Sequence, residues 1–128
     1  MSDSIFTKII NREIPAFIPY EDDQHIVIFD INPRAFGHLL VIPKQPYRWF
    51  LDMPEPEYAQ LMKVAQQVAK QLKDATEAEF IQVGIVGDEV PHVHVHLIPR
   101  SAGDDTRISA FNETKSKELS DTLATALA

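Results

Sequence analysis

The chain of 128 residues contains no cysteine, which excludes a disulfide framework and any zinc site built on thiolates. It also lacks any run close to the ~18 apolar residues that a membrane-spanning helix needs. The N-terminus has Asp3 and no apolar h-region, so we expect no secretory signal. These absences favour a cytoplasmic protein with no membrane partner.

Positive charge is scarce as well. The sequence has 12 Lys and Arg against 19 Asp and Glu, and its formal net charge is −7. Nucleic-acid binding requires clustered basic side chains, so no nucleic-acid partner is expected. A small anionic ligand is still compatible with this charge, because it responds to the local field of its site. The length and ordinary composition predict one domain over residues 1–128.

The most informative stretch is Pro91–Pro99, which holds three of the five histidines. His92, His94 and His96 alternate with apolar residues, and this two-residue period is typical of a β-strand. On such a strand the three imidazoles share one face and stand about 6.5–7 Å apart. The apolar side chains between them then face a core.

Three interpretations of these histidines compete. A purely structural role is unfavourable, because three neutral imidazoles buried side by side would each need hydrogen-bond partners. A zinc site on His92, His94 and His96 is compatible with the spacing. The third interpretation is nucleophilic catalysis by one histidine, whose neighbours handle protons and phosphate charge.

The order His-apolar-His-apolar-His-apolar-apolar closely resembles the signature of the histidine-triad (HIT) superfamily of nucleotide-binding proteins and hydrolases. Three further stretches resemble the Hint branch of that family: Ile5–Ala16, Phe29–Pro33 and Gly37–Lys44. The resemblance runs from about Ser4 to Arg100 in the same order and with similar spacing. It is therefore far more specific than a single His-x-His motif.

The resemblance implies an α+β fold, with a five-stranded antiparallel sheet, one long helix across it and short helices at the ends. It also implies a homodimer whose two sheets join into one. A chain this small would gain buried area by dimerising.

Four histidines receive roles from the resemblance. His94 is expected to attack phosphorus and form a nucleotidyl-histidine, and His96 to donate to a phosphate oxygen or to the leaving group. His92 is expected to hold the array, with His38 as the partner that determines its tautomer. No metal or other cofactor is expected to take part.

Six residues are expected to bind the nucleotide. Asp30 suits the ribose hydroxyls as a hydrogen-bond acceptor, although a carboxylate just before Asn32 and Pro33 could also simply cap a turn. The other five are expected to form the base pocket: Ile5, Phe6, Ile9, Phe29 and Ile31.

The implied activity is hydrolysis or transfer at the α-phosphate of purine nucleoside phosphoramidates or acyl-nucleotides, with release of nucleoside monophosphate. The alternatives are a dinucleoside polyphosphate hydrolase and a nucleotide-binding module with little turnover. The loop Val86–Val90 suggests the last of these, because it is shorter than in Hint proteins and carries Asp88 and Glu89. Both carboxylates would repel a phosphate if they pointed inward.

Periodicity and end signals predict the remaining elements. The first helix is expected over residues 4–11 with Ser2, Asp3 or Ser4 as its cap, and the long helix over 54–74 with Asp52 as its cap. His25 is expected at the surface, at the start of its strand. Besides the histidine strand, strands are expected over 17–21, 25–30, 38–43 and 80–86, and a last helix over about 112–127.

Overall fold

The computed structural model describes residues 4–105 and 107–128. Three helices and five strands follow one another in the order α1, β1, β2, β3, α2, β4, β5, α3. The helices are α1 (Ile5–Ile10), α2 (Glu55–Thr76) and α3 (Glu113–Ala126), and a short 3₁₀ turn (Phe50–Asp52) precedes α2. The strands are β1 (Tyr20–Glu21), β2 (His25–Phe29), β3 (Leu39–Pro43), β4 (Phe80–Gly84) and β5 (Val95–Arg100).

All five strands form one antiparallel sheet in the order β1-β2-β3-β5-β4. The predicted α+β fold with five strands, one long helix and shorter helices near both ends is confirmed. In the centre of the sheet, Leu40 of β3 lies opposite His96 of β5. This register places His96 on the same face as Leu40.

Alternate residues of each strand point to opposite sides of the sheet. Every residue of β2 and β3 is buried, so these strands are covered on both faces. One face packs against α2 and α3 through Val41, Val95 and Leu97, together with Leu61, Leu72 and Leu123 of the helices. The other face carries Ile26, Ile28, Leu40 and Ile42, which pack against Phe6 and Ile9 of α1. The histidine face is therefore the one that α1 covers.

The helix ends differ in part from expectation. Ser4 is the N-cap of α1, since its Oγ accepts the Thr7 N–H at 3.2 Å, whereas Ser2 and Asp3 lie outside the described residues. Asp52 does not cap α2. The helix begins at Glu55 with Pro54 as its N-cap, because Met53 is extended and separates Asp52 from the first helical turn.

The position of His25 is also corrected. The side chain is buried rather than at the surface, because Asp22 folds back on it and its carboxylate lies 2.9 Å from His25 Nδ1. Two strands are shorter than predicted, since β1 begins only at Tyr20 and β4 ends at Gly84. Within the described residues, no helix is long and apolar enough to cross a membrane.

Candidate active site

His92 and His94 lie just before β5 rather than within it, so the expectation of one straight strand of three histidines is wrong. The backbone N–H of His92 donates to Val90 O at 2.8 Å, and the N–H of Val93 donates to Tyr47 O at 2.8 Å. These bonds bend the chain before it joins the sheet. The rings of His94 and His96 consequently approach to 4.8 Å between centroids, which is closer than the expected 6.5–7 Å spacing of a regular strand.

The ring of His94 is held in one orientation. Its Nδ1 lies 2.8 Å from the carbonyl oxygen of His92, and the edge of Phe6 packs on the ring at a centroid distance of 4.8 Å. A carbonyl oxygen can only accept, so Nδ1 of His94 must carry the proton. The neutral ring therefore has its lone pair on Nε2.

His38 contacts His96, and the predicted partnership between His38 and His92 is wrong. The backbone N–H of Arg34 donates to Nδ1 of His38 at 3.0 Å. The proton of neutral His38 therefore lies on Nε2, which is 2.9 Å from Nδ1 of His96. His96 accepts this proton in a hydrogen bond, so its own proton lies on Nε2.

His92 is tied to other parts of the chain. Its Nε2 donates to the carbonyl oxygen of Pro43 at 2.7 Å, and its Nδ1 is 3.4 Å from Oγ of Ser4. The residue is only 1% exposed. His92 thus links α1, the end of β3 and the turn before β5, and its own carbonyl orients His94.

Burial keeps the imidazole rings of His38, His92 and His96 neutral. Desolvation lowers the pKa of His38 to about 4, although the nearby carboxylate of Asp30 works in the opposite direction. Desolvation also lowers the pKa of His92 and of His96 below the ordinary value, and in His96 the neighbouring His94 adds to the effect. The tautomers assigned above to His38, His92 and His96 are therefore those present at neutral pH.

Asp30 has two contacts at once. Its Oδ1 accepts the Asn32 N–H at 2.8 Å, so the carboxylate does stabilise the turn after β2. Its Oδ2 lies 3.6 Å from Nε2 of His38. The Asp30 side chain is about one-fifth exposed. It also borders a cavity that His94 and His96 share. Asp30 can therefore stabilise the turn after β2 and still contact a ligand in the cavity.

A metal fits this site poorly. Among the described residues, the histidine and carboxylate groups that offer three ligand atoms to one point are Asp30, His38 and His96, and not the three histidines of the motif. A metal on Nε2 of His38 would require the proton to move to Nδ1, where the Arg34 N–H already points. The hydrogen bonds of the site thus oppose metal binding.

A cavity of about 480 Å³ opens beside His94 and His96. The structure brings all six predicted nucleotide-binding residues to its wall: Ile5, Phe6, Ile9, Phe29, Asp30 and Ile31. His38 and His92 lie behind the wall. Most of its lining is apolar, and two imidazoles also border it, which is a lining that suits a base and a phosphate.

Sequence reasoning missed several wall residues. Phe17 and Phe111 pack around Phe29 at centroid distances of 6.4 and 6.5 Å, and Glu113 also borders the cavity. Glu89, which the sequence had already marked, borders it as well. Phe111 comes from the segment before α3, more than 80 residues after Phe29 along the chain. No local pattern marks it, because its position depends on how α3 packs.

Residues 11–103 match the HIT domain family, and the chain belongs to that family. It is 41% identical over 123 residues to an uncharacterized HIT-like protein of Methanocaldococcus jannaschii, covering 93% of this chain and 95% of the relative. It is 40% identical over 97 residues to adenosine 5'-monophosphoramidase HNT1 of Saccharomyces cerevisiae, covering 75% of this chain and 61% of that enzyme.

Solved structures agree with this membership. A HIT-like protein of Bartonella henselae superposes with a TM-score of 0.87 at 36% identity, and the match covers 97% of this chain and 96% of that one. The family includes hydrolases that act on nucleotides, such as the yeast monophosphoramidase.

Proposed function

We propose that this protein is a nucleotide hydrolase that cleaves purine nucleoside phosphoramidates or acyl-nucleotides at the α-phosphate and releases nucleoside monophosphate. The observation that carries the proposal is the pair of ring nitrogens at the cavity wall. Nε2 of His94 has a free lone pair, because Nδ1 donates to the His92 carbonyl. Nε2 of the adjacent His96 carries a proton, because Nδ1 accepts from His38. A nucleophile and a proton donor thus stand side by side.

In the first step Nε2 of His94 attacks phosphorus, and a P–N bond to the ring forms. The bond from phosphorus to the leaving nitrogen breaks, and its electron pair goes to that nitrogen. The leaving nitrogen takes the proton from Nε2 of His96 and departs as an amine. The hydrogen bond from His38 to Nδ1 stabilises the negative charge that then develops on the His96 ring. A carboxylate leaving group needs no proton.

In the second step water attacks the nucleotidyl-histidine. The bond between phosphorus and Nε2 of His94 breaks with its electron pair returning to the ring. After phosphoramidate cleavage one water proton restores Nε2–H of His96; after acyl-nucleotide cleavage His96 still holds its proton, and the water proton leaves to solvent. Nucleoside monophosphate is released and both imidazoles are back in their starting tautomers. Positioning and charge stabilisation provide most of the catalysis in phosphoryl transfer, and the buried ring contacts of His92 and His38 supply that positioning.

The nucleoside is held at the other end of the cavity. The base lies among the apolar side chains of α1 and β2, with Phe29 buried and Ile5 and Ile31 exposed at the rim. The ribose meets Asp30, whose Oδ2 accepts from hydroxyl groups. The similarity to the yeast adenosine 5'-monophosphoramidase favours a purine phosphoramidate.

The test is mass spectrometry of protein mixed with adenosine 5'-phosphoramidate and quenched early. We expect one transient nucleotidyl group on the peptide that contains His94. Equilibrium binding of adenosine monophosphate is measured alongside. Binding with neither adduct nor product would replace the hydrolase by a nucleotide-binding module with little turnover.

We propose further that the protein is a homodimer joined through β4. This strand lies at the edge of the sheet, and its apolar residues Phe80 and Val83 are about half exposed. A groove between β4 and α2 borders Val83 and Met62. An open edge with apolar side chains favours pairing with a second strand.

Sedimentation velocity of Val83→Lys tests the dimer. We expect the variant to sediment as a monomer, while Ile108→Lys, which alters an exposed apolar residue in the segment before α3, sediments like the wild type. A wild type that is monomeric at high concentration would disprove the dimer.

A further inference from the structure

We propose that Glu89, assisted by Asp88, selects substrates whose leaving group carries a positive charge, as in a phosphoramidate of a diamine or of another amine with a second cationic group. The inference rests on the hydrolase activity proposed above and names its substrate class more closely. Its basis is the charge and the placement of the loop between β4 and β5.

The charge of the cavity wall is one-sided. The carboxylates that border it are Asp30, Glu89 and Glu113, and no Lys or Arg side chain borders it within the described residues. Arg34 lies close enough to affect His38 and His96 electrostatically, but it is not among the residues that border the cavity. The wall offers one imidazole proton that is not bonded within the protein, that of His96, and it has no cation to compensate a second anion.

The two loop carboxylates are exposed, and both lie near the histidines. Glu89 borders the same space as His94 and His96. Asp88 is near enough to His96 to oppose the lowering of that ring's pKa. Since His96 faces the leaving group in the proposed reaction, the Glu89 carboxylate borders the space that the leaving group enters.

The loop is anchored at both of its ends. The guanidinium of Arg48 donates to the carbonyl oxygen of Gly87 and lies 3.9 Å above the ring of Trp49. Gly87 has φ +86°, and a Cβ there would meet Trp49 ring carbons at 3.3 and 3.4 Å, so glycine is required for this close approach. At the other end, Val90 accepts the His92 N–H at 2.8 Å.

These anchors hold the backbone of the acidic loop beside the cavity, while the side chains of Asp88 and Glu89 are exposed. Glu89 lies between the two anchored residues. On one side Gly87 lies against Trp49, and on the other Val90 is hydrogen-bonded to His92. A cationic group on the leaving side is attracted to this carboxylate, and an anionic group such as a second phosphate is repelled. The same repulsion disfavours dinucleoside polyphosphates as substrates.

The experiment compares three adenosine 5'-phosphoramidates of equal leaving-group length, made from putrescine, pentylamine and γ-aminobutyrate, which leave a cationic, a neutral and an anionic tail. We expect kcat/KM to fall in that order, with about tenfold between successive substrates, the ratio that about 1.4 kcal/mol represents. The span, which is the ratio of kcat/KM between the cationic and the anionic substrate, should shrink several-fold in Glu89→Gln. Glu118→Gln, an exposed glutamate of α3 outside the cavity, should keep the full span.

Ionic strength gives an independent readout. The preference for the cationic tail should weaken between about 0.01 M and about 1 M salt, because the screening length shrinks from about 30 Å to about 3 Å. A steric preference would not respond in this way.

The outcomes separate the two proposals. Turnover of all three substrates at similar rates, or a span that Glu89→Gln leaves unchanged, overturns the selection by charge and leaves the hydrolase intact. No turnover of any substrate overturns the hydrolase. In that case calorimetric affinities of the same three compounds decide the charge preference, and equal affinities in wild type and Glu89→Gln overturn it as well.

Discussion

Nε2 of His38 donates to Nδ1 of His96 across 2.9 Å, and the direction of this bond is determined by a backbone group on the far side of the His38 ring. Because the N–H of Arg34 occupies Nδ1 of His38, the proton must sit on Nε2 and point at His96. The proton of neutral His96 then lies on Nε2. A loop residue thus determines the protonation pattern of His38 and His96.

His94→Ala should reduce turnover to background while nucleotide binding survives. The substitution removes the only ring whose free lone pair faces the cavity in our assignment, and the base and ribose contacts lie on other elements. His94→Gly with added imidazole should regain part of the activity. Steady-state hydrolysis and calorimetric binding of adenosine monophosphate measure the two effects. Near wild-type turnover in His94→Ala would exclude the covalent mechanism.

His96→Ala should slow phosphoramidate hydrolysis by about 10²–10³-fold, the scale for loss of one positioned donor. The leaving nitrogen needs a proton and a carboxylate does not, so the loss should be much smaller for an acyl-nucleotide. The ratio of kcat/KM for the two substrates is the readout. An equal loss with both would show that His96 does not act on the leaving group.

His38→Ala should slow phosphoramidate hydrolysis by less than His96→Ala, and its effect should disappear when His96 is already alanine. The reason is that His38 acts through Nδ1 of His96 and has no place on the cavity wall. A double-mutant cycle on kcat measures this coupling. Additive effects of the two substitutions would contradict the contact between the rings as the route of action.

Asp30→Ala should raise KM for ribonucleotide substrates by about 10- to 100-fold, since a hydrogen bond to a charged group contributes roughly 1.5–3 kcal/mol. The 2'-deoxy substrate should lose less. Asp30→Asn is the matched control, because its amide oxygen can still accept the Asn32 N–H and keep the turn. A ribose preference that both variants retain would show that Asp30 does not contact the sugar.

Stability should fall as the pH drops from about 6.5 to about 4. Burial lowers the pKa of His38 in the folded state, so the unfolded chain binds the proton first and gains stability over this range, by up to about 3 kcal/mol for this residue. Below about pH 4 its contribution is constant. Urea unfolding across the range should give a flatter dependence for His38→Gln. An identical dependence in both proteins would show that His38 is not the group responsible.

Saturating EDTA should leave phosphoramidate hydrolysis unchanged. The proposed reaction uses imidazole nitrogens alone, and the hydrogen bond from Arg34 opposes a metal on His38. The rate is measured before and after dialysis against the chelator, with zinc added back at the end. A collapse that zinc reverses would favour the metalloprotein instead.

Local patterns were sufficient for most of the fold. Short apolar runs predicted β2, β3 and β4 within two residues of their observed ends, and the helical period predicted α2 and α3 similarly. These signals succeed because each depends on neighbours a few residues apart. They failed at Asp52 and His25, where the outcome depends on how a turn folds back rather than on the period.

The sequence by itself was sufficient to match the three spaced histidines to a known family signature. It also identified five of the apolar residues that border the cavity. The tertiary structure decided which nitrogen of each ring carries the proton. His38 and His96 are 58 residues apart in the chain, and their tautomers depend on an N–H of Arg34. Those of His92 and His94 depend on backbone carbonyls whose directions no side-chain pattern encodes. Hydrogen-bond direction is a property of the assembled backbone, and the roles of the four histidines therefore emerge only when β3, β5 and their loops come together.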